Sequence, residues 1–291
     1  MPELPDITIY REALTARVAG RRVQAVHVTS PFVLRSVEPP VAEFAGITVV
    51  GIERLGKRIV IACEAELYLV IHLMVAGRLK WTPDGRNPPK GLLSIAFEGG
   101  TLTLTEAGSK RRASLTAVST RAALIAMDRG GLDVLQAGDE EVVARLRLEN
   151  HTLKRALTDP RLFDGIGNSY SDEILHAARL SPLRLTSRLG DGDARRLANT
   201  MRVTLISWTE RLRAEVGDGW PEKVTAFRPE MAVHGRFRLP CPVCAAPVQR
   251  IRYAENETNY CARCQTGGRV LADRAMSRLL KDDWPRSLDE L

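Results

Sequence analysis

The chain has 291 residues, 44% of them hydrophobic and 26% charged, an ordinary globular composition with room for a sizeable core and two domains. Forty-two Lys and Arg against thirty-five Asp and Glu leave a net charge of +7, which suits a polyanionic partner without requiring one. No run of about eighteen apolar residues marks a membrane span. No basic segment followed by an apolar stretch marks a secretory signal, so a cytoplasmic protein is expected.

The chain opens Met1-Pro2-Glu3-Leu4-Pro5 and continues as a predicted helix, Asp6 to Val18. A methionine before a small residue is a substrate for methionine removal, which would leave Pro2 with a free secondary amine. Amino termini titrate near pH ~7.7–8.0, so a useful fraction is unprotonated at neutral pH. Such an amine can attack an electrophilic carbon and form an imine. Glu3 beside it can move protons. The alternative for these residues alone is a stiff terminal arm.

Residues 21 to about 127 read as strands: Val23–Val28, Ile47–Ile52, Arg58–Cys63, Glu66–Leu73, Leu92–Phe97 and Thr101–Thr105 are β-rich and broken by turn residues. Short strands at this spacing predict a sandwich or barrel over residues 1–130. A linker follows at 131–147, although Glu140–Leu148 already shows helical spacing. Thr152–Leu157, Gly167–Ala178, Ser187–Glu215 and Val270–Leu280 continue that pattern. Residues 148–236 are therefore assigned to a helical domain, and 237–291 to a cysteine-bearing segment with a C-terminal helix. Gly165-Ile-Gly-Asn168 at a helix start aims free backbone N–H groups at an anion, with Asn168 as its cap and Lys154 able to approach. An ordinary helix start with a tight glycine turn is the bland alternative.

Cys63 sits alone in an apolar run and reads as a buried small hydrophobe. Cys241-Pro-Val-Cys244 and Cys261-Ala-Arg-Cys264, sixteen residues apart, have four-thiolate zinc spacing, with a β-hairpin between the knuckles. Two disulfides are the alternative, disfavoured without an export signal.

Taken together and in order, these motifs resemble the formamidopyrimidine-DNA glycosylase and endonuclease VIII family. They are Pro2-Glu3-Leu4-Pro5, Gly56-Lys57-Arg58, Ile71-His72-Leu73 with Gly77, Lys154 with Gly165-Ile-Gly-Asn168-Ser-Tyr170-Ser-Asp-Glu173, Val233-His234-Gly235-Arg236, and the four cysteines with Gln265. The resemblance implies an α+β multidomain fold: an N-terminal β-sandwich, a helix–two-turn–helix domain and a four-cysteine zinc-finger β-hairpin holding one structural Zn²⁺. It implies a monomer that binds damaged DNA, excises the base and cleaves the abasic site by β- and δ-elimination. In that reading Pro2 attacks C1′, Glu3 is general acid, and Lys57 is the third catalytic residue. Lys57, His72, Lys154 and Asn168 hold phosphates around the everted nucleotide, with Arg111, Arg112 and Tyr170 also on the DNA. Eversion costs a few kcal/mol, and side chains must fill the gap.

Departures from the pattern bear on specificity. The family's finger carries an arginine five residues before the third cysteine, where this chain has Asn256 between Glu255 and Glu257. Arg250 and Arg252 lie elsewhere on the hairpin. The gap-filling methionine aligns with Val75, with Met74 one residue early, and Ala113 stands at the aromatic position after Arg111-Arg112. The basic segment Thr105–Leu115 is expected to probe the opposite strand, a solvated hairpin tip being the alternative. Residues 216–232 leave a short or rearranged lesion-recognition loop. A damage-binding protein of the same fold without turnover, and a zinc-ribbon module unrelated to repair, are the competing readings.

Overall fold

The computed structural model describes residues 1–107, 110–253, 256–272 and 287–290. The chain folds as two compact units, Met1–Arg129 with Trp208–Thr225, and Gly130–Ser207 with Ala226–Leu291.

The first unit begins with helix α1 (Leu4–Val18). Pro5 occupies its first turn, and the Glu3 backbone N–H donates to Asp6 Oδ2 at 3.0 Å. Leu4, Ile7, Tyr10, Leu14 and Val18 are each at most 1% exposed, so one helical stripe is buried. Eight strands follow: β1 (Val23–Val28), β2 (Val49–Leu55), β3 (Arg58–Cys63), β4 (Leu67–His72), β5 (Gly77–Pro83), β6 (Leu93–Phe97), β7 (Gly100–Glu106) and β8 (Ser114–Ser119). They form two four-stranded sheets in the orders β2-β3-β4-β8 and β1-β6-β7-β5. Every pairing within them is antiparallel. Ile59, Ile61, Leu69, Ile71 and Leu115 of one sheet share a core with Val23, Leu79, Ile95, Phe97, Leu102 and Leu104 of the other, making a sandwich. The opposite face of the first sheet is also covered. Val60, Ala62, Tyr68, Val70 and Val118 pack with Leu124 of helix α2 (Arg121–Ile125) and with Met127.

Trp208–Thr225 joins this unit although its sequence position suggested the helical domain. Trp220 stands 5.6 Å from Tyr10 and 6.2 Å from Trp81, centroid to centroid. Its indole N–H donates to the Leu79 carbonyl at 3.0 Å. Arg213 grips Glu12 through two hydrogen bonds, at 2.7 and 3.0 Å.

The second unit contains α3 (Asp139–Arg147), α4 (Leu153–Thr158), α5 (Asn168–Ala177), the hairpin β9 (Val248–Tyr253) and β10 (Asn256–Cys261), and α7 (Ala262–Thr266). Helix α6 (Asp191–Val216) starts in this unit and ends in the first. Residues 131–147 are not a free linker. Leu132 bridges Phe163, and α3 buries Val142 and Leu146. From residue 273 to 280, the expected C-terminal helix lies outside the described residues.

Candidate nucleic-acid interface and zinc site

Register collects side chains expected at the site, in the first unit, at one end of the β2-β3-β4-β8 sheet. Arg58 on β3 faces His72 on β4, and His72 faces Ser114 on β8. Lys57 lies in the β2–β3 turn, where Gly56 takes a left-handed φ of 64°. Burial, then the Arg58 and Lys57 charges, pushes the His72 imidazole down to about 4, so the ring is neutral at pH 7. After His72 the chain turns through Met74, at a φ of 52°, to an exposed Val75. The turn closes where Gly77 N–H donates to the Leu73 carbonyl at 2.9 Å. A Cβ on Gly77 would meet that oxygen at 2.3 Å and the Ala113 methyl at 3.0 Å. Ala113 itself is only 3% exposed, so this position belongs to the core and projects nothing. Arg111 and Arg112 are exposed just before it, with the Glu106 carboxylate accepting the Arg112 and Ala113 amides at 2.9 and 3.0 Å. Pro2 and Glu3 are buried at the start of α1. Burial holds the Met1 amine below its ordinary value. The Glu3 and Asp6 carboxylates oppose the shift, while Arg78 and Lys57 reinforce it.

In the second unit the two side chains expected to hold phosphate bond within the protein. Gly167, not Asn168, caps α5. The Asn168 side-chain amide donates to the Glu257 carbonyl on β10 at 2.8 Å. Lys154 turns inward. Its three ammonium donors reach the Asn168 carbonyl at 2.7 Å, Ser171 Oγ at 2.8 Å and Asp172 Oδ1 at 2.5 Å. A lysine with three donors has none left for a phosphate in this arrangement. Tyr170 is 1% exposed, a core residue one turn before the equally buried Ile174, and offers no surface to DNA.

Three residues beyond the expected set organise this region. Asp172 Oδ2 accepts from His234 Nδ1 at 2.8 Å and from the Asn259 backbone at 3.1 Å. Glu173 collects the backbone N–H groups of Ala232, Val233 and His234 at 2.7, 2.9 and 2.9 Å. Burial raises the Glu173 pKa against the opposing pull of those amides. Asn259 Oδ1 accepts the Gly235 amide at 2.8 Å. Motif spacing placed Asp172, Glu173 and His234 in recognisable runs, but nothing in it revealed that they meet.

The four cysteine sulfurs lie within 4.8 Å of one another. The sulfurs of Cys244 and Cys261 stand 3.4 Å apart and those of Cys241 and Cys264 3.9 Å. A disulfide needs about 2.05 Å. Four sulfurs at ~2.3 Å from a common ion would stand several ångströms apart, as these do. Left-handed turns at Ala245 and Gly267 (φ 61° and 65°) finish the two knuckles. His176, missed by the sequence reading, sets Nε2 3.3 Å from Cys241 Sγ, and burial keeps its pKa low. A neutral imidazole N–H can donate to a ligating sulfur and steady it.

Residues 1–115 match the formamidopyrimidine-DNA glycosylase N-terminal domain, 134–211 its H2TH domain, and 238–267 the zinc finger found in FPG and IleRS. A formamidopyrimidine-DNA glycosylase of Thermus thermophilus is 32% identical over 287 residues, covering 92% of this chain and 100% of the relative. The chain belongs to the formamidopyrimidine-DNA glycosylase family. A solved family structure, the MutM (Fpg) protein of Thermus thermophilus, superposes with a TM-score of 0.76 at 30% identity, over 91% of this chain and 98% of that one. Lactococcus lactis Fpg in complex with abasic-site DNA shares the fold, with a TM-score of 0.78 at 23% identity and coverage of 91% and 99%. The zinc finger of this family member holds a structural zinc through Cys241, Cys244, Cys261 and Cys264. The ion supplies a cross-link between the two knuckles. Among the described residues no helix is long and apolar enough to cross a membrane.

Proposed function

We propose that this family member is a base-excision-repair DNA glycosylase with abasic-site lyase activity, using the Pro2 nitrogen as nucleophile. The full-length kinship to formamidopyrimidine-DNA glycosylases carries the reading. With Met1 removed, the secondary amine of Pro2 becomes the chain terminus beside Glu3. The amine lone pair attacks C1′ of the damaged nucleotide. Glu3 delivers a proton as the sugar opens and the base departs. The resulting iminium acidifies the C2′ proton, whose loss expels the 3′-phosphate by β-elimination, and a second elimination releases the 5′-phosphate.

Lys57 and His72 stand at one sheet end as phosphate contacts, His72 as a neutral donor. Arg111 and Arg112 reach the opposite strand. Lys154 and Asn168 act indirectly, by fixing the start of α5 and the hairpin that meets it. The protein works as a monomer in the cytoplasm, where its DNA lies. A binding protein of the same fold would engage abasic DNA without forming an imine. Borohydride trapping on an abasic oligonucleotide, with intact mass measured on the same sample, separates the two. A covalent adduct from protein lacking Met1 is the expected result. No adduct from demethionylated protein would sink the enzyme reading.

A further inference from the structure

The sheet end that carries His72 also carries an aromatic ring standing in water. Phe32 is 82% exposed and Val37 83%. Isolated surface hydrophobes are ordinary, but this segment is pinned rather than loose. Pro31–Val33 forms a 3₁₀ turn, with Val33 N–H donating to the Ser30 carbonyl at 3.1 Å and its side chain 2% exposed in the sandwich core. Leu34 bridges Leu115 in parallel, and Arg35 N–H donates to the Leu115 carbonyl at 2.8 Å. The Ala117 amide donates to Ser36 Oγ at 2.8 Å. The segment therefore lies along the outer edge of β8 and presents Phe32 towards the end where Arg111 and Arg112 emerge.

The row across that end runs from Arg58 to His72 to Ser114, with the Phe32 segment beyond. Arg35, Arg111 and Arg112 are exposed around it. Glu106, the acid closest in sequence to the two arginines, spends its carboxylate on the backbone amides of Arg112 and Ala113. A fixed, exposed aromatic among cations is the composition of a surface that stacks nucleobases while arginines take phosphates. Ala113, locked in the core, cannot serve as such a ring.

We propose that Phe32 stacks on a nucleobase of the bound DNA at the gap left by the everted nucleotide. The proposal rests on the glycosylase reading above, because that reading supplies the DNA and the gap. Its test is a duplex carrying an abasic-site analogue opposite 2-aminopurine. Binding of the unsubstituted protein quenches the 2-aminopurine fluorescence. Phe32→Ala loses the quench and weakens duplex affinity about tenfold, and Phe32→Trp restores both. Quenching and affinity within twofold of the unsubstituted protein for Phe32→Ala would overturn the proposal. So would a sedimentation result in which Phe32→Ala only converts a dimer to a monomer, since the ring would then face a second copy. Borohydride trapping by the unsubstituted protein runs in parallel. Its failure removes Pro2 as nucleophile while leaving the fluorescence result readable.

Discussion

Lys154 Nζ lies 2.5 Å from Asp172 Oδ1, and this pair turns an expected DNA contact into an internal clamp. The lysine side chain is 12% exposed and the carboxylate 0%. Removing the ammonium leaves a buried charge with only His234 and one backbone amide for company. Lys154→Ala should therefore lower stability by about 3 kcal/mol, read by urea unfolding of the whole chain. Lys57→Ala should instead leave stability nearly unchanged and reduce the salt slope of DNA binding by about one. A Lys154→Ala protein of full stability with a reduced salt slope would return that residue to the phosphate backbone.

Pro2→Gly should lose most imine trapping and strand cleavage. Glu3→Gln should spare cleavage of a preformed abasic site more than base excision, since an abasic sugar has no base to expel.

The zinc site predicts a count of thiols. Purified protein should contain one Zn²⁺, and chelation should release four titratable cysteines while the sandwich stays folded. Cys63, 3% exposed and pushed up to about 12 by burial, should stay unreactive until global unfolding. A fifth fast thiol, or two disulfides in place of zinc, would refute the assignment.

His72 titrates near 4 in the folded chain against about 6.5 when unfolded. Between those values the unfolded state binds the extra proton, so this residue's contribution to stability is complete above pH 6.5 and is lost as pH falls towards 4. Imidazole NMR shifts followed with pH read the value directly. Bound DNA should raise it, because a phosphate favours the imidazolium. An unchanged titration in the complex would remove His72 from the interface.

The specificity expectation follows from what the sheet end lacks. Ala113 is in the core, Val75 is a short side chain at the turn, and the finger arginine position is Asn256. Weak excision of 8-oxoguanine paired with cytosine is expected. Abasic sites and unpaired or oxidised pyrimidine lesions, whose extrusion is less costly, should be handled better. Excision of paired 8-oxoguanine as fast as abasic cleavage would show that other side chains hold the duplex open.

The sandwich strands were legible where apolar residues alternate or run together, as in Val23–Val28 and Arg58–Cys63, both observed with those bounds. Gly77–Pro83 escaped because it opens on glycine and closes on proline, residues that usually interrupt strands. The chemistry-bearing residue types were readable, but their partners were not. Lys154 and Asp172 are 18 positions apart, and His234 lies 62 beyond Asp172. No local pattern announces such a meeting. Tyr170 stands inside a binding motif, yet it faces inward one turn from Ile174. On a helix, the face decides the role.

Glu173 gives the second unit a property that neither its helix nor its finger would have separately. One carboxylate on α5 caps three consecutive amides of the segment leading into the zinc knuckle, and Asp172 beside it holds the Asn259 amide of β10. None of these amides can open to solvent while the carboxylates stay seated. In native-state hydrogen exchange they should behave as one foldon, sharing an opening free energy with the core of α5. Helix α5 and the metal hairpin would then be a single cooperative object in the cell, lost together to a protease or kept together.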